Sequence, residues 1–553
     1  MTAETATSST ISTSLHLARL SPTMDRGTPP SAEDGLGQDG RREFSLPPVD
    51  RGKDAWFFLA ACFFVEALTW GFPFSFGVFQ DYYSTHEPFA GSDQIPIIGT
   101  CAMGIMYLDI PVVMGMQRMY PQFSRWSPMI GLVFMCVSLA ASSFSRNVGH
   151  LILTQGVLYA IGGSISYCPC LLYMDEWFAK RKGLAYGIMW SGTGLAGFAL
   201  PLVLEHFLHK YGFQTTLRIW AVALLVLTMP LAFFIKPRLP HTATTRIQPF
   251  KLGFALTKTF ALHQIGNVVQ GLGFFLPGIY LPTYARSIGA STFTSALTLL
   301  LVNVASTFGC AVMGSLTDHL HVTTCLMISA AGAGLGTFLL WGFATSVPVL
   351  LLFCVIYGLF AGPYSSAWTG IMKDVTFEMG TIRGTSSGSS FDPTMVIGVL
   401  STGRGIGNIV SGPLSQALIR GMPWKGEALG GYGTGYGPLI AFTGATAVMS
   451  GATFVWRRLG WMSAFGKPME SVDAIPLVEA VWDNLSDMVK SEVTKDAAKA
   501  LVEAIGEGYA FSTNIERNPP QGSNVAPNAV QDVIWESLQK GYGKPKVLSA
   551  LHA

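Results

Sequence analysis

Long apolar runs separated by short polar segments occupy the chain between residues 53 and 458. A helix needs about 20 mostly apolar residues to cross a hydrocarbon core about 30 Å thick. Runs of this kind lie at residues 56–79, 95–116, 127–144, 151–172, 184–204, 219–235, 262–284, 296–316, 325–343, 349–371, 396–419 and 439–456. The pattern predicts an all-α membrane protein with twelve transmembrane helices.

The predicted helices divide into two sets of six that share a faint internal repeat. Superposing predicted helix 5 on predicted helix 11 aligns Gly187 with Gly398, Gly192 with Gly403 and Gly194 with Gly405. Repeats of this kind indicate two related bundles. We therefore predict two six-helix pseudo-repeats, at residues 53–236 and 260–458, joined by a cytoplasmic linker at 237–259.

The two ends of the chain have the composition of polar extensions. Residues 1–52 are rich in Ser, Thr, Pro and Gly without the apolar core of a signal peptide, which predicts a disordered cytoplasmic arm. Residues 459–553 form a second polar region, a cytoplasmic tail with either a regulatory role or none. Lys and Arg concentrate in the loops on one side of the predicted helices, so both termini are expected to be cytoplasmic.

Composition excludes several classes of protein. Only 12% of the residues are charged, against about 25% in soluble domains, so membrane lipid is the expected surrounding. A net charge of +2 gives no basic field for nucleic acid. All eight cysteines lie in apolar runs, where a thiol acts as a small hydrophobe. We predict no disulfide framework, no metal and no cofactor.

Three segments carry motifs of one known family. They are Asp50-Arg51-Gly52-Lys53 with Trp70-Gly71-Phe72-Pro73-Phe74, the run Glu176-Trp177-Phe178-Ala179-Lys180-Arg181-Lys182-Gly183 with Ser191-Gly192-Thr193-Gly194, and Gly403-Arg404-Gly405-Ile406-Gly407-Asn408. Together they resemble the monocarboxylate-porter family of the major facilitator superfamily, in its fungal branch. The resemblance spans residues 47–458. It implies the major facilitator fold and a monomeric secondary active transporter that works by alternating access.

The motif at predicted helix 5 has a physical rationale of its own. Lys180, Arg181 and Lys182 lie at the cytoplasmic mouth of this helix and can pair with Asp175 or Glu176. The glycines that follow, Gly187, Gly192 and Gly194, allow close approach of a neighbouring helix, either for motion between halves or for tight packing alone. Asp318 ends a segment that resembles the loop motif of the superfamily. We assign these residues gating or structural roles.

Departures from the family bear on the substrate. Proton-coupled lactate porters carry a lysine in helix 1 and an Asp/Arg pair in helix 8. In this chain Phe74 stands where those porters carry the helix 1 lysine. Ser306 and Cys310 align with the Asp/Arg pair. A lactate-type mechanism is therefore not expected, and a bulkier or less anionic substrate is favoured.

Ionisable groups inside spans are costly and indicate function. Glu66 lies about 15 Å into helix 1 at 1.5 Å per residue, where a carboxyl group favours its neutral form and can carry a proton. Asp109 in helix 2 is the second proton-coupling candidate. Arg404 in helix 11 can bind a substrate carboxylate with two donors. The alternatives are packing roles for the acids and an Arg404 that extends to the interface.

Uncharged groups complete the predicted substrate site. The candidates are the amides Asn267, Gln270, Asn303 and Asn408 and the aromatics Trp70 and Tyr280. Amides can bond polar groups of a substrate, and aromatic rings can stack on a planar one, although core packing is the alternative for each.

The sequence therefore predicts a secondary transporter of a small organic molecule, either carboxylate-like or a specialised metabolite, with protons as a coupling partner. Efflux of a secondary metabolite is the alternative within this class, and a non-transporting nutrient sensor is the alternative outside it. An enzyme is not expected, because His206 with His209 and His319 with His321 form isolated pairs rather than repeated metal boxes. The plasma membrane is the expected location, with the vacuolar membrane as the alternative.

Overall fold

The computed structural model describes residues 47–239, 250–383 and 392–462. The predicted arm up to residue 46, residues 240–249 of the predicted linker and the predicted tail from residue 463 lie outside the described residues. Within the described ranges all regular elements are helical.

The long helices are labelled in chain order. They are α1 (Lys53–Thr85), α2 (Ile95–Met119), α3 (Ser127–Ser142), α4 (Val148–Trp177), α5 (residues 182–211), α6 (residues 213–232), α7 (Lys258–Ser287), α8 (Thr292–His319), α9 (Val322–Trp341), α10 (Val347–Gly380), α11 (Thr394–Ile419) and α12 (Gly437–Arg458). We call residues 53–232 the first half and residues 258–458 the second half.

Helices α5 and α6 form one helical segment, Lys182–Ala232, of 51 residues. At 1.5 Å per residue a straight helix of this length would extend about 75 Å, more than twice the hydrocarbon core. Gly212 divides it with φ 75° and ψ 171°, a left-handed conformation that glycine adopts without a Cβ penalty. Because the break takes one residue, α6 begins six residues earlier than the hydrophobic run at residue 219 predicts.

Eight helical segments of the described chain are long and apolar enough to cross a membrane, which confirms an all-α protein with several spans. Segment Lys182–Ala232 counts as one of the eight, and α3 is a shorter apolar helix. Helices α7 and α11 do not qualify because they carry Asn267, Gln270, Arg404 and Asn408. All four side chains are buried, so the polarity of these helices faces the protein interior. The number of spans, twelve, stays a prediction.

Aromatic rings fill the core of each half. In the first half Phe72 lies between Tyr159 and Trp220, with ring centroids 5.0 and 6.5 Å away. In the second half Trp341 stacks on Phe353 at 5.1 Å. Rings at these distances add to the stability from buried apolar area.

The two halves meet along α5 with α8 and along α2 with α11. Glycines make both contacts close. A Cβ atom added to Gly314 of α8 would lie 2.8 Å from the Gly187 Cα of α5, and one added to Gly405 of α11 would lie 2.8 Å from the Tyr107 Cβ of α2. The backbones of α5 and α8 therefore touch without an intervening side chain.

The segment before α1 is fixed to the loop between α4 and α5 by one carboxylate. Asp50 accepts hydrogen bonds from the backbone N–H groups of Ala179, Lys180 and Arg181 at 3.0 to 3.1 Å. Its own N–H donates to the Trp177 carbonyl at 3.0 Å. Burial alone would raise the pKa of Asp50, but the three N–H donors and the charge of Arg181 outweigh it, so the pKa lies below the ordinary value of 3.8.

We expect Gly314→Ala to destabilise the protein by about 1–3 kcal/mol, because the added methyl overpacks the contact with α5. The measurement is the thermal midpoint of the purified full chain in detergent. Gly278→Ala on α7 is the matched control, since a Cβ atom there meets nothing within 4 Å. Equal midpoints for Gly314→Ala and the parent would contradict the close contact.

We expect Asp50→Asn to lower the thermal midpoint at pH 7, because the amide loses the charge that the three N–H groups bind. A carboxyl group whose folded pKa is depressed stabilises above its unfolded pKa, about 3.9, and this stability is lost as pH falls through the folded pKa. The difference between parent and variant should therefore shrink below about pH 4. Asp93→Asn, at an exposed loop position, is the control and should show no such pH-dependent difference.

Candidate functional site

A cavity lies between the two halves. Side chains from α1, α2, α4 and α5 line one side, and side chains from α7, α8, α10 and α11 line the other. Glu66, Trp70, Asn303 and Arg404 of the predicted site line this cavity. The structure thus brings together residues that lie more than 300 positions apart in the sequence.

Arg404 is a buried cation, only 3% exposed. Its Nη1 donates to the Gln270 Oε1 at 2.7 Å, and its guanidinium lies 4.2 Å above the centroid of the Phe274 ring. The Gln270 amide is itself held by the Ala361 carbonyl at 3.3 Å. Within the described part of the chain no carboxylate lies within ion-pair distance of Arg404. The Tyr107 side chain also interacts with the guanidinium. Since a guanidinium has five N–H donors, others remain for a ligand.

Glu66 faces the same cavity from α1 and is also 3% exposed. The Thr193 hydroxyl of α5 donates to its Oε1 at 2.7 Å. Its Oε2 is buried, and the Tyr167 hydroxyl lies close enough to interact with the carboxyl group. The carboxyl group thus has one oxygen that is oriented and one that can hold a proton.

Aromatic rings form much of the cavity wall. The Trp70 ring lies 4.6 Å from Tyr107, and the Trp190 ring meets Trp368 edge to face at 5.7 Å. Trp190 belongs to the first half and Trp368 to the second, so this ring contact joins the two halves at the cavity wall. Walls of this kind suit a planar, largely apolar ligand body.

The positions that depart from the lactate-porter pattern also line the cavity. Phe74, Ser306 and Cys310 are all part of its wall. The Ser306 hydroxyl donates to the Gly358 carbonyl at 3.1 Å, so it is already satisfied within the protein. The cationic group of this cavity therefore comes from α11 and not from α8.

The other predicted substrate residues have different positions. Asn303 lines the cavity but donates its amide to the Gly197 carbonyl at 3.0 Å, across the two halves. Asn267 donates to the Leu400 carbonyl at 2.7 Å and ties α7 to α11. Tyr280 accepts from Ser415 at 3.3 Å. Tyr280, Asn267, Gln270 and Asn408 lie outside the cavity wall.

Asp109, the second predicted proton carrier, is separate from Glu66. Its Oδ1 accepts a hydrogen bond from the Ser164 hydroxyl of α4 at 2.6 Å, and its side chain is not part of the cavity wall. The two carboxyl groups therefore have different environments, and a mutation can test each alone.

Charged contacts join the halves where the basic residues cluster. We call the helix ends that carry Arg118, Lys180, Arg181, Lys182 and Lys373 the basic end. There Asp318 of α8 accepts from the N–H groups of Gly183 and Leu184, the first turn of α5, at 2.8 and 2.9 Å. Lys373 of α10 lies 3.4 Å from the same carboxylate. We call this set of contacts the latch.

A second cross-half contact reinforces the basic end. The Arg118 Nε of α2 donates to the Asp392 Oδ2 before α11 at 2.7 Å. Lys182 pairs locally with Asp175 at 3.1 Å. Nearer the middle of the helices, the Ser401 hydroxyl donates to the Tyr107 carbonyl at 3.0 Å.

The described residues contain no hydrogen bond between the halves beyond this middle level, at the end opposite the basic end. Hydrogen bonds between the halves that are confined to the basic end and the middle level are the arrangement that alternating access requires of a cavity closed on one side. The structure therefore represents a conformation that is closed at the basic end.

Sequence reasoning missed Asp392, Thr193 and Phe274. Asp392 lies in a polar segment between two predicted helices, and no local pattern marks its pairing with Arg118. Thr193 belongs to the Ser191-Gly192-Thr193-Gly194 motif, where its hydroxyl could have been considered as a partner for Glu66. Phe274 stands four residues after Gln270, one helical turn on, which is the spacing that places both beside Arg404.

A bundle of apolar helices around a cavity that contains buried charged groups and is closed at one end is typical of polytopic membrane transporters. A profile of the Major Facilitator Superfamily matches residues 59–391, more than half of the chain. The protein belongs to the Major Facilitator Superfamily, which confirms the predicted resemblance and the transporter function.

Relatives cover most of the same region. The Aspyridones efflux protein apdF of Emericella nidulans is 27% identical over 78% of this chain and 82% of its own length. The Fujikurins efflux protein of Gibberella fujikuroi is 25% identical over 61% of this chain and 73% of its own length. Monocarboxylate transporter 10 of Mus musculus is 24% identical over 68% of this chain and 76% of its own length.

Proposed function

We propose that this transporter carries a planar organic anion, a specialised metabolite with a carboxylate or similar group, together with a proton. The observation that carries the proposal is the buried guanidinium of Arg404, which has no carboxylate partner among the described residues and lines the cavity. A buried cation without a counter-ion is costly. A bound anion would remove that cost, so the cavity selects for negative charge.

The shape of the cavity supports a planar ligand larger than lactate. The guanidinium is held against Phe274 by Gln270, so its free N–H donors have a fixed direction. Trp70, Tyr107 and Trp368 line the rest of the cavity. Bulk at Phe74, where lactate porters carry a lysine, fits the same conclusion.

Glu66 supports coupling of the anion to a proton. Protonation of this carboxyl group removes a negative charge from the cavity that receives the anion, so the two ligands favour each other's binding. The pair crosses the membrane without net charge. A pH difference of one unit across the membrane corresponds to a free energy of about 1.4 kcal/mol per proton. A tenfold concentration gradient of the metabolite in the opposite direction balances this free energy.

Export is the direction we propose. Two relatives are named as efflux proteins for metabolites. A metabolite made inside the cell drives its own exit with a proton whenever its concentration ratio exceeds the proton ratio. Cotransport with a proton is therefore compatible with export.

Architecture and location belong to the same proposal. We place all twelve helices across the membrane, as bundles at residues 53–236 and 260–458 joined by the linker at 237–259, with the basic end and both termini in the cytoplasm. A monomer in the plasma membrane is the proposed form. The break at Gly212 supports separate α5 and α6 spans.

We expect Arg404→Gln to weaken the binding of aromatic monocarboxylates by about 10- to 100-fold, since a hydrogen bond to a charged group is worth about 1.5–3 kcal/mol. Arg404→Lys should weaken binding less, because lysine keeps the positive charge but lacks the paired N–H donors of the guanidinium. Binding is read from thermal stabilisation of the purified chain by each acid and by its primary amide. Arg286→Gln, an exposed arginine at the opposite end, is the control. Amides that bind as tightly as their acids would contradict the proposal.

We expect Glu66→Gln to abolish the acceleration of flux by a pH gradient in proteoliposomes while exchange of labelled for unlabelled substrate continues. Glutamine mimics the protonated carboxyl group but cannot release a proton. Asp109→Asn is the matched control and should keep gradient-driven flux.

Gradient-driven flux in Glu66→Gln would exclude Glu66 as the coupling group. Binding without flux in the parent would favour the non-transporting sensor instead.

A further inference from the structure

A second group of buried ionisable side chains lies at the basic end of the second half, outside the cavity. Asp374 of α10 lies between two imidazoles. Its Oδ2 is 3.7 Å from the His263 Nε2 of α7, and its Oδ1 is 3.5 Å from the His321 Nε2 at the start of α9. His263 is fully buried and Asp374 is 8% exposed. We call these three residues the His–Asp–His cluster.

Other charged groups surround the cluster. Helix α12 contributes Arg457, whose charge acts on Asp374 and on His321. Helix α10 itself carries Lys373 and Glu378, and Asp318 of α8 pairs with Lys373. The positive charge of Arg457 therefore already offsets the carboxylate of Asp374.

The geometry of His321 is that of a neutral imidazole, because its Nδ1 accepts a hydrogen bond from the Thr323 N–H at 3.2 Å. Both contacts to Asp374 are longer than the 2.7–3.2 Å of a good hydrogen bond. Both ring nitrogens of His263 are buried without a hydrogen-bond partner among the described residues. Burial lowers the pKa of His321 below its ordinary value; Asp374 opposes this, and Arg457 and His263 add to it. No group of described side chains, this cluster included, is arranged to hold a metal ion.

The cluster adjoins the latch. Lys373, the residue before Asp374, lies 3.4 Å from the Asp318 carboxylate that receives the N–H groups of Gly183 and Leu184. Any displacement of this part of α10 moves Lys373 relative to Asp318. Lys373 and Asp318 both belong to the second half, but α10 also contacts α5 directly at this end, so a displacement of α10 reaches the contact between the halves.

We propose that the His–Asp–His cluster is a second proton-binding site, and that a proton taken up from the basic end loosens the latch. One added proton leaves the group of Asp374, Arg457 and two imidazoles with a net positive charge in a buried place. Repulsion from Arg457 and Lys373 then favours separation of α7, α9 and α10. Because this part of α10 contacts both α5 and α8, its displacement disturbs the contact between Asp318 and the first turn of α5, and the basic end can open.

The direction of the pH effect follows from the neutral state of the cluster. A histidine that is kept neutral in the latched conformation but titrates normally when unlatched stabilises the latch above about pH 6.5. This stability is lost as pH falls through that value. With the orientation proposed above, acid cytosol would promote opening toward the cytosol. The proposed proton site does not depend on which substrate the protein carries.

The test is hydrogen–deuterium exchange of the backbone N–H groups of Gly183 and Leu184 in the purified full chain. Parent and His263→Gln/His321→Gln are compared at the same pH, so the intrinsic pH dependence of exchange cancels. At pH 7.5 the two should exchange alike. At pH 5.5 the parent should exchange faster by up to about tenfold, the limit for one histidine of pKa about 6.5.

Two further variants make the result decisive. His206→Gln/His209→Gln changes a pair of exposed histidines on α5 and should behave as the parent at both pH values. Asp318→Asn defines the exchange of the unlatched state. If the double variant does not fold, His321→Gln alone, at a partly exposed helix start, should reduce the acid effect. A parent-to-variant ratio that is unchanged between pH 7.5 and 5.5 would overturn the proposal, even if transport is proton-coupled.

Discussion

The Asp318 carboxylate at the first turn of α5 is the interaction on which the described conformation depends. The free N–H groups of a helix start attract a negative charge, and here that charge comes from the other half of the chain. Gly183 makes the approach possible, because a Cβ atom there would lie 2.8 Å from the Asp318 Oδ1. A helix start is usually capped by a residue close to it in the sequence. Here the capping carboxylate comes from the other half, and this contact closes the cavity at the basic end.

Lipid imposes the second constraint, since backbone groups in the bilayer must be satisfied within the helices. Polar side chains are then expected inside, and the structure places the most polar helices, α7 and α11, with their amides and Arg404 buried. The same residues lower the mean hydropathy of these two helices. Low hydropathy in a helix between clear spans therefore indicates a cavity helix and not a loop.

The helical fold followed from apolar runs alone, because those runs respond to the membrane and not to distant contacts. Glu66 and Arg404 could be singled out because charge within a span is costly. Their partners could not, since Thr193 and Gln270 are ordinary polar residues until the halves assemble. The Arg118–Asp392 pair joins residues 274 positions apart, and no spacing rule reaches that far. The separation of α5 from α6 was predicted from the polar stretch at residues 205–218, but the one-residue break at Gly212 was not, because the polar residues on both sides of it are helical.

Because only Gly212 separates α5 from α6, a movement of one helix is transmitted to the other. A long loop would let two helices slide past each other, whereas one residue at Gly212 keeps their ends together. Helix α6 also contacts α3, where the Cys136 thiol donates to the Ala221 carbonyl at 3.3 Å. A displacement of α5 at the latch is then passed through its far end to α6 and on to α3. We therefore expect α3, α5 and α6 to move together when the basic end opens.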